Sequence, residues 1–256
     1  MEIVPLGVGE AFAKTLSQTN FLVRPGRGEP FLVDAGHTAS RALHALGVGL
    51  REAARVVVSH LHADHIGGLE ELGFTGYFAW GERPVLHVPE NVLAFLWEHA
   101  LRAGMGQRLR RPGGGFFEAG LDTYFDVRPL AGTRPFEMGS VTVTPFPTPH
   151  VPGRPSWGFR LHDRATGGAV LLTCDSRFHR GNLSRYGAGC AAVFHDCQLA
   201  TNGAHIHATL AELLTLAPED QERTLLVHYA DDWRAYEEGG RTGRLRFARE
   251  GRVYRF

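Results

Sequence analysis

The chain has 256 residues, 43% of them hydrophobic and 21% charged, and its 27 basic and 27 acidic side chains give a net charge of zero. This composition is typical of a globular protein with a filled core and excludes disorder as the general state. It also argues against long nucleic acid as a partner, because proteins that bind it neutralise many phosphates. We expect residues 1–256 to form a single domain.

The cysteines and the apolar runs predict the compartment of the protein. Cys174, Cys190 and Cys197 include no CxxC pair, which favours a reduced, cytoplasmic setting. The first residues lack a basic segment followed by a long apolar stretch, and no run reaches the ~18 apolar residues of a membrane span. We therefore expect a soluble, cytoplasmic protein that does not contact a membrane.

Short apolar, β-branched runs bounded by glycine, proline or polar residues predict a series of strands. They lie at 2–6, 21–24, 31–34, 56–60, 85–88, 141–145, 157–161, 169–173, 191–194 and 224–228. Helices are predicted at 38–46, 67–72, 90–103 and 209–217. This mixture indicates an α/β fold in which two sheets pack on each other.

Two further segments carry weaker patterns. Residues 106–120 are rich in arginine and glycine, which predicts a mobile surface loop. The segments 245–250 and 252–256, on either side of Gly251, predict a hairpin at the end of the chain.

The densest group of potential metal ligands directly follows the strand predicted at 56–60. Imidazole nitrogens and carboxylate oxygens bind Zn²⁺ and similar cations, and the ends of strands are where α/β sheets present such ligands. A hydrogen-bonded polar loop is the alternative, but so many donors after an apolar strand disfavour it. Four donors this close do not easily share one tetrahedral ion with a water, so two adjacent metals are the simpler solution. The four donors are His60, His62, Asp64 and His65.

This H-x-H-x-D-H motif resembles the signature of the metallo-β-lactamase superfamily, and the resemblance extends over essentially the whole chain. Four more positions match that family in order, each at the end of an apolar run: Asp34, His150, Asp175 and His228. Taken alone, each has an ordinary structural explanation, such as a turn residue or a helix N-cap. In series they reinforce one another. The resemblance implies a metallo-β-lactamase-like αββα sandwich, with two mixed sheets flanked by helices, and a single hydrolase domain over 1–256.

The resemblance also implies a role for each of these residues. The first metal would be bound by His60, His62 and His150, and the second by Asp64, His65 and His228, with Asp175 bridging the two. Asp34 would accept a hydrogen bond from a ligand imidazole. Asp64 also counts among the catalytic residues. Position 62 is histidine, whereas the oxygen-reducing diiron relatives have glutamate there, so redox iron chemistry is disfavoured.

Two divalent ions held close together are typical of hydrolases, because they lower the pKa of a shared water and make it a nucleophile. The ligands are nitrogen and oxygen without thiolate, so we expect Zn²⁺, with Mn²⁺ or Fe²⁺ as alternatives. A bridging hydroxide is the expected nucleophile.

Residues 194–214 resemble the phosphodiesterase branch of the superfamily, which includes RNase Z and cyclic-nucleotide phosphodiesterases. In that branch an acidic strand end is followed by His-x-Thr at the start of a helix. Here Asp196 is the acidic residue and His207-Ala-Thr209 the triplet, 21 positions before His228. His207 would donate a proton to the leaving alkoxide or stabilise the charge that develops on the phosphoryl oxygens, and Asp196 would orient it. The alternatives are that His205 has this role, or that Thr209 is only a helix cap and both histidines are solvated.

The substrate implied is a small phosphodiester such as a cyclic nucleotide. The tRNA endonucleases carry a long arm between the residues matching His150 and Asp175, and the 25 positions here leave no room for one. The extra length instead lies in segment 89–120, whose apolar helix could be a lid over the metal cleft, a contact in a homodimer, or part of the core. The remaining histidines are expected to be structural or exposed: His37, His44, His87, His99, His162, His179 and His195.

Two other functions remain open on the sequence. One is a hydrolase of the same fold that acts on a thioester, a lactone or a β-lactam. The other is a non-catalytic, metal-dependent scaffold or sensor, which the complete ligand set disfavours.

Overall fold

In the computed structural model, which describes residues 1–200, 203 and 205–256, most apolar runs form the strands of two seven-stranded sheets. The strands are β1 (Glu2–Gly7), β2 (Asn20–Arg24), β3 (Phe31–Val33), β4 (Arg55–Val57), β5 (Val85–Pro89), β6 (Arg108–Arg110), β7 (Phe116–Glu118), β8 (Asp126–Leu130), β9 (Phe136–Met138), β10 (Val141–Pro147), β11 (Trp157–Asp163), β12 (Ala169–Leu172), β13 (Ala192–Asp196), β14 (Thr224–Val227), β15 (Arg246–Phe247) and β16 (Tyr254–Arg255). All ten runs predicted as strands are strands, with ends shifted by a few residues.

The helices are short and lie between the strands. They are α1 (Ala39–Ala45), α2 (Ala63–Ile66), α3 (Leu69–Phe74), α4 (Glu90–Leu96), α5 (Arg102–Met105), α6 (Leu121–Tyr124), α7 (Arg180–Tyr186), α8 (Leu210–Leu213), α9 (Pro218–Glu222) and α10 (Trp233–Glu238). A 3-10 turn covers Leu50–Ala53, and π-helical segments cover Thr75–Trp80 and Trp97–Leu101. No helix in the described part of the chain combines the length and the hydropathy needed to span a bilayer.

Each sheet has an antiparallel half and a parallel half. The first sheet has the order β16-β1-β2-β3-β4-β5-β8, and pairing is parallel from β3 to β8. The second has the order β15-β14-β13-β12-β11-β10-β9, and pairing is parallel from β12 to β15. Because parallel strands end at the same edge of a sheet, each sheet collects its strand-end loops at one edge.

The core lies between the two sheets. Phe21 of β2 and Phe194 of β13 meet edge to face with ring centroids 5.5 Å apart, which joins the inner faces of the two sheets. On the outer face of the second sheet, Phe146 stacks on Tyr186 of α7 with centroids 4.5 Å apart. Two mixed sheets packed face to face and flanked by helices confirm the expected αββα sandwich.

The hairpin predicted at the end of the chain is wrong. β15 pairs with β14 in the second sheet, whereas β16 pairs with β1 in the first. Both edges of the sandwich offer unpaired backbone groups at this place, so the two segments separate to complete one sheet each. Gly251 does mark a turn, since its φ is 69°. A glycine at a turn does not determine which strand each flanking segment pairs with.

The loop predicted at 106–120 is also wrong in part. Its flanks form an antiparallel pair, β6 with β7, in which Arg108 lies opposite Glu118. The helix predicted at 90–103 exists and runs through α4, the π-helical segment and α5 to Met105. The helix predicted at 209–217 is shorter than expected, because α8 covers only Leu210–Leu213.

Candidate metal centre and active site

The predicted ligands lie together where strands of both sheets end. The loop after β4 carries His60 and His62, of which His62 has an extended backbone. Helix α2 begins directly after His62, which places Asp64 and His65 on its single turn. From the second sheet come the residues that follow β10, β12 and β14. These are His150, Asp175 and His228.

The ligand atoms form two groups that share one carboxylate. His60, His62, His150 and Asp175 make the first group, and Asp64, His65, Asp175 and His228 the second, with all ligand atoms of a group within 4.8 Å of one another. The Asp175 carboxylate lies between them: its Oδ2 is 3.6 Å from the Nε2 atoms of His60 and His150, and its Oδ1 is 3.2 Å from Nε2 of His65. Nε2 of His228 lies 3.5 Å from the same Oδ2.

Buried atoms without hydrogen-bond partners test whether these residues suit a cation. Among the described residues, Nε2 of His60, Nε2 of His65, Oδ2 of Asp64 and Oδ1 of Asp175 are buried and have none. Orphaned buried polar atoms are costly, and they are rare unless an ion or a water satisfies them. These four atoms belong to the two groups that share Asp175, so the arrangement fits divalent metal ions.

Three imidazoles are oriented through the nitrogen that faces away from the centre. His65 Nδ1 donates to Asp34 Oδ2 at 2.7 Å, and His150 Nδ1 donates to the carbonyl oxygen of Ile206 at 2.7 Å. His60 Nδ1 donates to the Ser59 hydroxyl at 2.9 Å, which in turn donates to Asp34 Oδ2 at 2.7 Å. In the neutral ring, each bond places the proton on Nδ1 and the lone pair on Nε2, as a metal ligand requires.

Asp34 lies beside the predicted ligands and is hydrogen-bonded to one of them. Its carboxylate accepts hydrogen bonds from His65, from the Ser59 hydroxyl and from the Ser59 backbone N–H, the last at 2.7 Å. Asp34 and His228 both have left-handed backbone conformations, with φ of 65° and 57°. For residues other than glycine this conformation costs roughly 1 kcal/mol, and it concentrates at functional sites.

The charges within the centre keep its carboxylates ionised. Burial would raise the pKa of Asp175, but His228 and His65 outweigh burial and hold it well below its usual range. Burial would likewise lower the pKa of His65, but Asp175, Asp34 and Asp64 raise it well above its usual range. An ionised carboxylate at the shared position is the form that binds a cation.

His207 and Asp196 form a pair beside the centre. Asp196, at the end of β13, accepts a hydrogen bond at Oδ2 from His207 Nδ1 at 2.9 Å and another from the Ser176 backbone N–H at 3.1 Å. Burial lowers the pKa of His207, but the hydrogen bond and the charge of Asp196 raise it to about 9. The competing residue, His205, is exposed. The geometry therefore pairs His207, not His205, with the acidic residue, and Thr209 also caps α8 by accepting from the Glu212 N–H at 3.2 Å.

Two clefts flank the centre. The first cleft has a volume of about 370 Å³ and is lined by His60, Leu61, His62, Phe95, His99, Ala100, His150, Val151, Arg154 and Pro155. The second cleft has about 350 Å³ and is lined by Pro149, Arg177, Phe178, His179, His205, His207 and Glu212. Phe95 and Arg154 were not predicted from the sequence, and His99 was expected to be structural or exposed. The apolar helix over 90–103 was the only signal that pointed to this region.

Comparison with known proteins agrees with this fold. A family model described as Anti-Pycsar protein Apyc1 matches residues 1–254. An Anti-Pycsar protein Apyc1 from Paenibacillus harenae is 38% identical over 256 residues, covering 99% of each chain, and one from Bacillus phage 010DV004 is 38% identical over 263 residues, covering 99% of this chain and 98% of its own. The crystal structure of the metallo-β-lactamase fold protein YhfI from Bacillus subtilis superimposes with a TM-score of 0.71 at 17% identity, over 99% of this chain and 98% of that one.

Proposed function

Because the chain belongs to the Anti-Pycsar protein Apyc1 family, we propose that it hydrolyses a small phosphodiester, and a cyclic nucleotide in the first place, at a pair of divalent cations. Membership of this family and the metallo-β-lactamase fold make it a metal-dependent hydrolase. The substrate, the number of cations and the roles of the residues are the proposal.

The two groups of ligand atoms define where the cations would be held. His60, His62 and His150 would bind one and Asp64, His65 and His228 the other, while Asp175 binds both. Donors of nitrogen and oxygen favour Zn²⁺, with Mn²⁺ or Fe²⁺ as alternatives. When bound, such a pair lowers the pKa of a shared water and stabilises the charge that develops on the phosphoryl oxygens.

The His207–Asp196 pair is the observation that carries the choice of a phosphodiester. An alkoxide leaves phosphorus poorly unless it receives a proton, whereas the thiolate of a thioester leaves without one. Nδ1 of His207 is held by Asp196 at 2.9 Å, so its Nε2–H is the atom left to donate to the leaving oxygen. The pKa of the ring, raised to about 9 by the hydrogen bond and the charge of Asp196, favours the protonated form that a proton donor needs.

Removing a ligand tests the metal centre. We expect His60→Ala and Asp175→Ala each to abolish metal-dependent hydrolysis of a 3′,5′-cyclic nucleotide, because each takes a donor from a group that has no spare one. Turnover and bound metal are measured together. His44→Ala is the control, since His44 is an exposed histidine of α1. Undiminished turnover in either ligand variant would refute the proposed centre.

Removing the proton donor tests the phosphodiester chemistry. We expect His207→Ala to lower kcat for a cyclic nucleotide by about 10²- to 10⁴-fold while bound metal is retained. For bis(p-nitrophenyl) phosphate the loss should be much smaller, because nitrophenolate leaves without protonation. His205→Ala is the matched control from the same cleft. Equal losses for both substrates, or a larger loss in His205→Ala, would contradict the assignment.

A further inference from the structure

The helix above the centre changes its register at the π-helical segment. Its buried side chains are Val92, Leu96, Leu101 and Met105, so the spacing of four residues becomes five across Trp97–Leu101 and then returns to four. The extra residue places Leu101 rather than Ala100 at the fully buried position, and Ala100 lines the cleft while it still packs against the edge of the core. The first turn of the helix is tied to β11 by a 2.9 Å hydrogen bond from Trp157 Nε1 to Asn91 Oδ1.

The same helix exposes an aromatic ring in the cleft beside the predicted ligands. Phe95 is 39% exposed although the next residue, Leu96, is fully buried. Its ring lies 5.7 Å from that of His99, one turn further on, at an interplanar angle of 34°. Both side chains line the first cleft, whose wall also includes His60, His62 and His150. A large exposed apolar side chain beside reactive groups is a feature of ligand sites.

The second cleft contains a comparable ring that already has a partner. Phe178 is half-buried, and the guanidinium of Arg180 lies 5.1 Å from its ring centroid. Cation–π contact of this kind occupies the face that a flat ligand would need. Phe95 has only the tilted His99 ring beside it among the described aromatic and cationic contacts, so the first cleft offers the freer stacking surface.

The first cleft also carries charge of the right sign. Arg154, four residues after His150, is exposed at its rim, and within the described residues its guanidinium takes part in no ion pair or side-chain hydrogen bond. A phosphodiester is an anion, so an unpaired arginine at the mouth of the cleft favours its approach. The volume of about 370 Å³ is in the range of pockets that hold small organic ligands.

We propose that the first cleft is a nucleoside-binding subsite, in which the base of the cyclic nucleotide stacks on Phe95 and Arg154 attracts the phosphate towards the metal centre. The inference rests on the proposed function and makes Phe95 a specificity-determining residue rather than a catalytic one. Stacking on an aromatic ring tolerates different bases, because every base has a π face. The subsite therefore selects nucleotides over other phosphodiesters without strong preference for one base.

Steady-state kinetics of the metal-loaded enzyme test the subsite. We expect Phe95→Ala to raise KM for a 3′,5′-cyclic nucleotide at least about fivefold, which is the lower end of measured base-stacking effects. The value of kcat should change little, because stacking on the base is equally strong in the ground state and the transition state. Phe95→Trp keeps an aromatic face and should retain the wild-type KM. For ribose 3′,5′-cyclic phosphate, which has no base, wild type and Phe95→Ala should have the same KM.

Two further variants separate the explanations. Phe178→Ala tests the second cleft, and Phe78→Ala tests an exposed phenylalanine that lines neither cleft. Neither should change KM for the cyclic nucleotide. An unchanged KM in Phe95→Ala, or a rise in Phe178→Ala alone, would overturn the subsite. If the wild-type enzyme hydrolyses the cyclic nucleotide and Phe95→Ala has the same KM, only this inference fails. If the wild-type enzyme hydrolyses no phosphodiester, the proposed function fails.

Discussion

Three buried imidazoles that face the shared carboxylate, those of His60, His65 and His150, are each held by a neighbour outside the ligand groups. Asp34 serves two of them, His65 directly and His60 through the hydroxyl of Ser59. One carboxylate thereby sets the tautomers in both groups of ligands. The centre is preorganised to the extent that these hydrogen bonds hold, because an imidazole free to rotate would lose entropy on binding a cation.

The role of Asp34 can be tested without removing a ligand. We expect Asp34→Asn to lower the affinity for Zn²⁺ by about 10- to 100-fold. Both carboxylate oxygens of Asp34 accept hydrogen bonds, from Ser59 and from His65, whereas the asparagine amide has only one accepting oxygen. Competition against a chelator measures the affinity. Asp163→Asn, which changes a buried aspartate in another part of the molecule, should leave it unchanged. Equal affinities in the wild type and in Asp34→Asn would refute the supporting role.

At the scale of single residues the linear pattern was informative, because ligands close in sequence stay close in space. The H-x-H-x-D-H motif lies on one loop and one helical turn, so His60, His62 and His65 meet whatever the rest of the chain does. Phe95 and Arg154 carried no such signal. A phenylalanine in an apolar helix predicts core packing, and only the position of the helix beside His150 reveals an exposed ring in a cleft.

At the scale of secondary structure, strands that are buried on both faces were the most predictable elements. The runs that became β4, β12 and β14 are continuous and apolar, and they end close to the predicted residues. The antiparallel pair of β6 and β7 was missed because it is short and partly exposed. The π-helical segment was also missed, since its extra residue follows from how Leu96 and Leu101 reach the core rather than from any local preference.

The helix at 90–105 also answers part of the question about segment 89–120. One side of it packs into the core and the other lines the first cleft, so core packing and a place over the metal centre are compatible. Closure as a lid and contact in a homodimer stay predictions.

At the scale of the whole molecule, polar contacts at the rim join the two sheets outside the apolar core. Asp163, at the end of β11 in the second sheet, accepts a 2.7 Å hydrogen bond from the N–H of Gly26, in the loop after β2 of the first sheet. The same carboxylate accepts from the Ala165 N–H at 2.9 Å. Burial raises its pKa, but hydrogen bonds from Ser140, Ala165 and Gly26 outweigh burial and hold the pKa well below the usual range.

This lowered pKa predicts how stability depends on pH. A carboxyl group with a lower pKa in the folded state stabilises the fold above its unfolded pKa of about 3.9, and this contribution is lost as the pH falls towards the folded value. At pH 7 we expect Asp163→Asn to lower the free energy of unfolding by about 1–3 kcal/mol. The difference from the wild type should shrink below about pH 4, where protonation weakens the same bonds in the wild type.

Chemical denaturation at a series of pH values measures this difference. Acid also releases metal ions from both proteins, so only the difference between them reports on Asp163. Glu238→Gln, which changes an exposed carboxylate of α10, should show no comparable difference. A gap that stays constant from pH 7 to acid would contradict the contribution of the Asp163 charge.

The sequence by itself determined that the chain is an α/β sandwich of the metallo-β-lactamase type, and the residues that it predicted as ligands are brought together by the structure. Continuous apolar runs specify buried strands, and donors at strand ends specify what those strands present. The assignment of each ligand to a cation and the single domain over 1–256 stay predictions.

Only the tertiary structure decided what surrounds the centre. It selected His207 rather than His205 as the partner of Asp196, and it placed β15 and β16 in different sheets. It also placed the side chain of Phe95 in the wall of the cleft that includes His150. The physical reason is that these features depend on contacts between segments far apart in the chain, whose energies exceed the local preferences that a sequence pattern records.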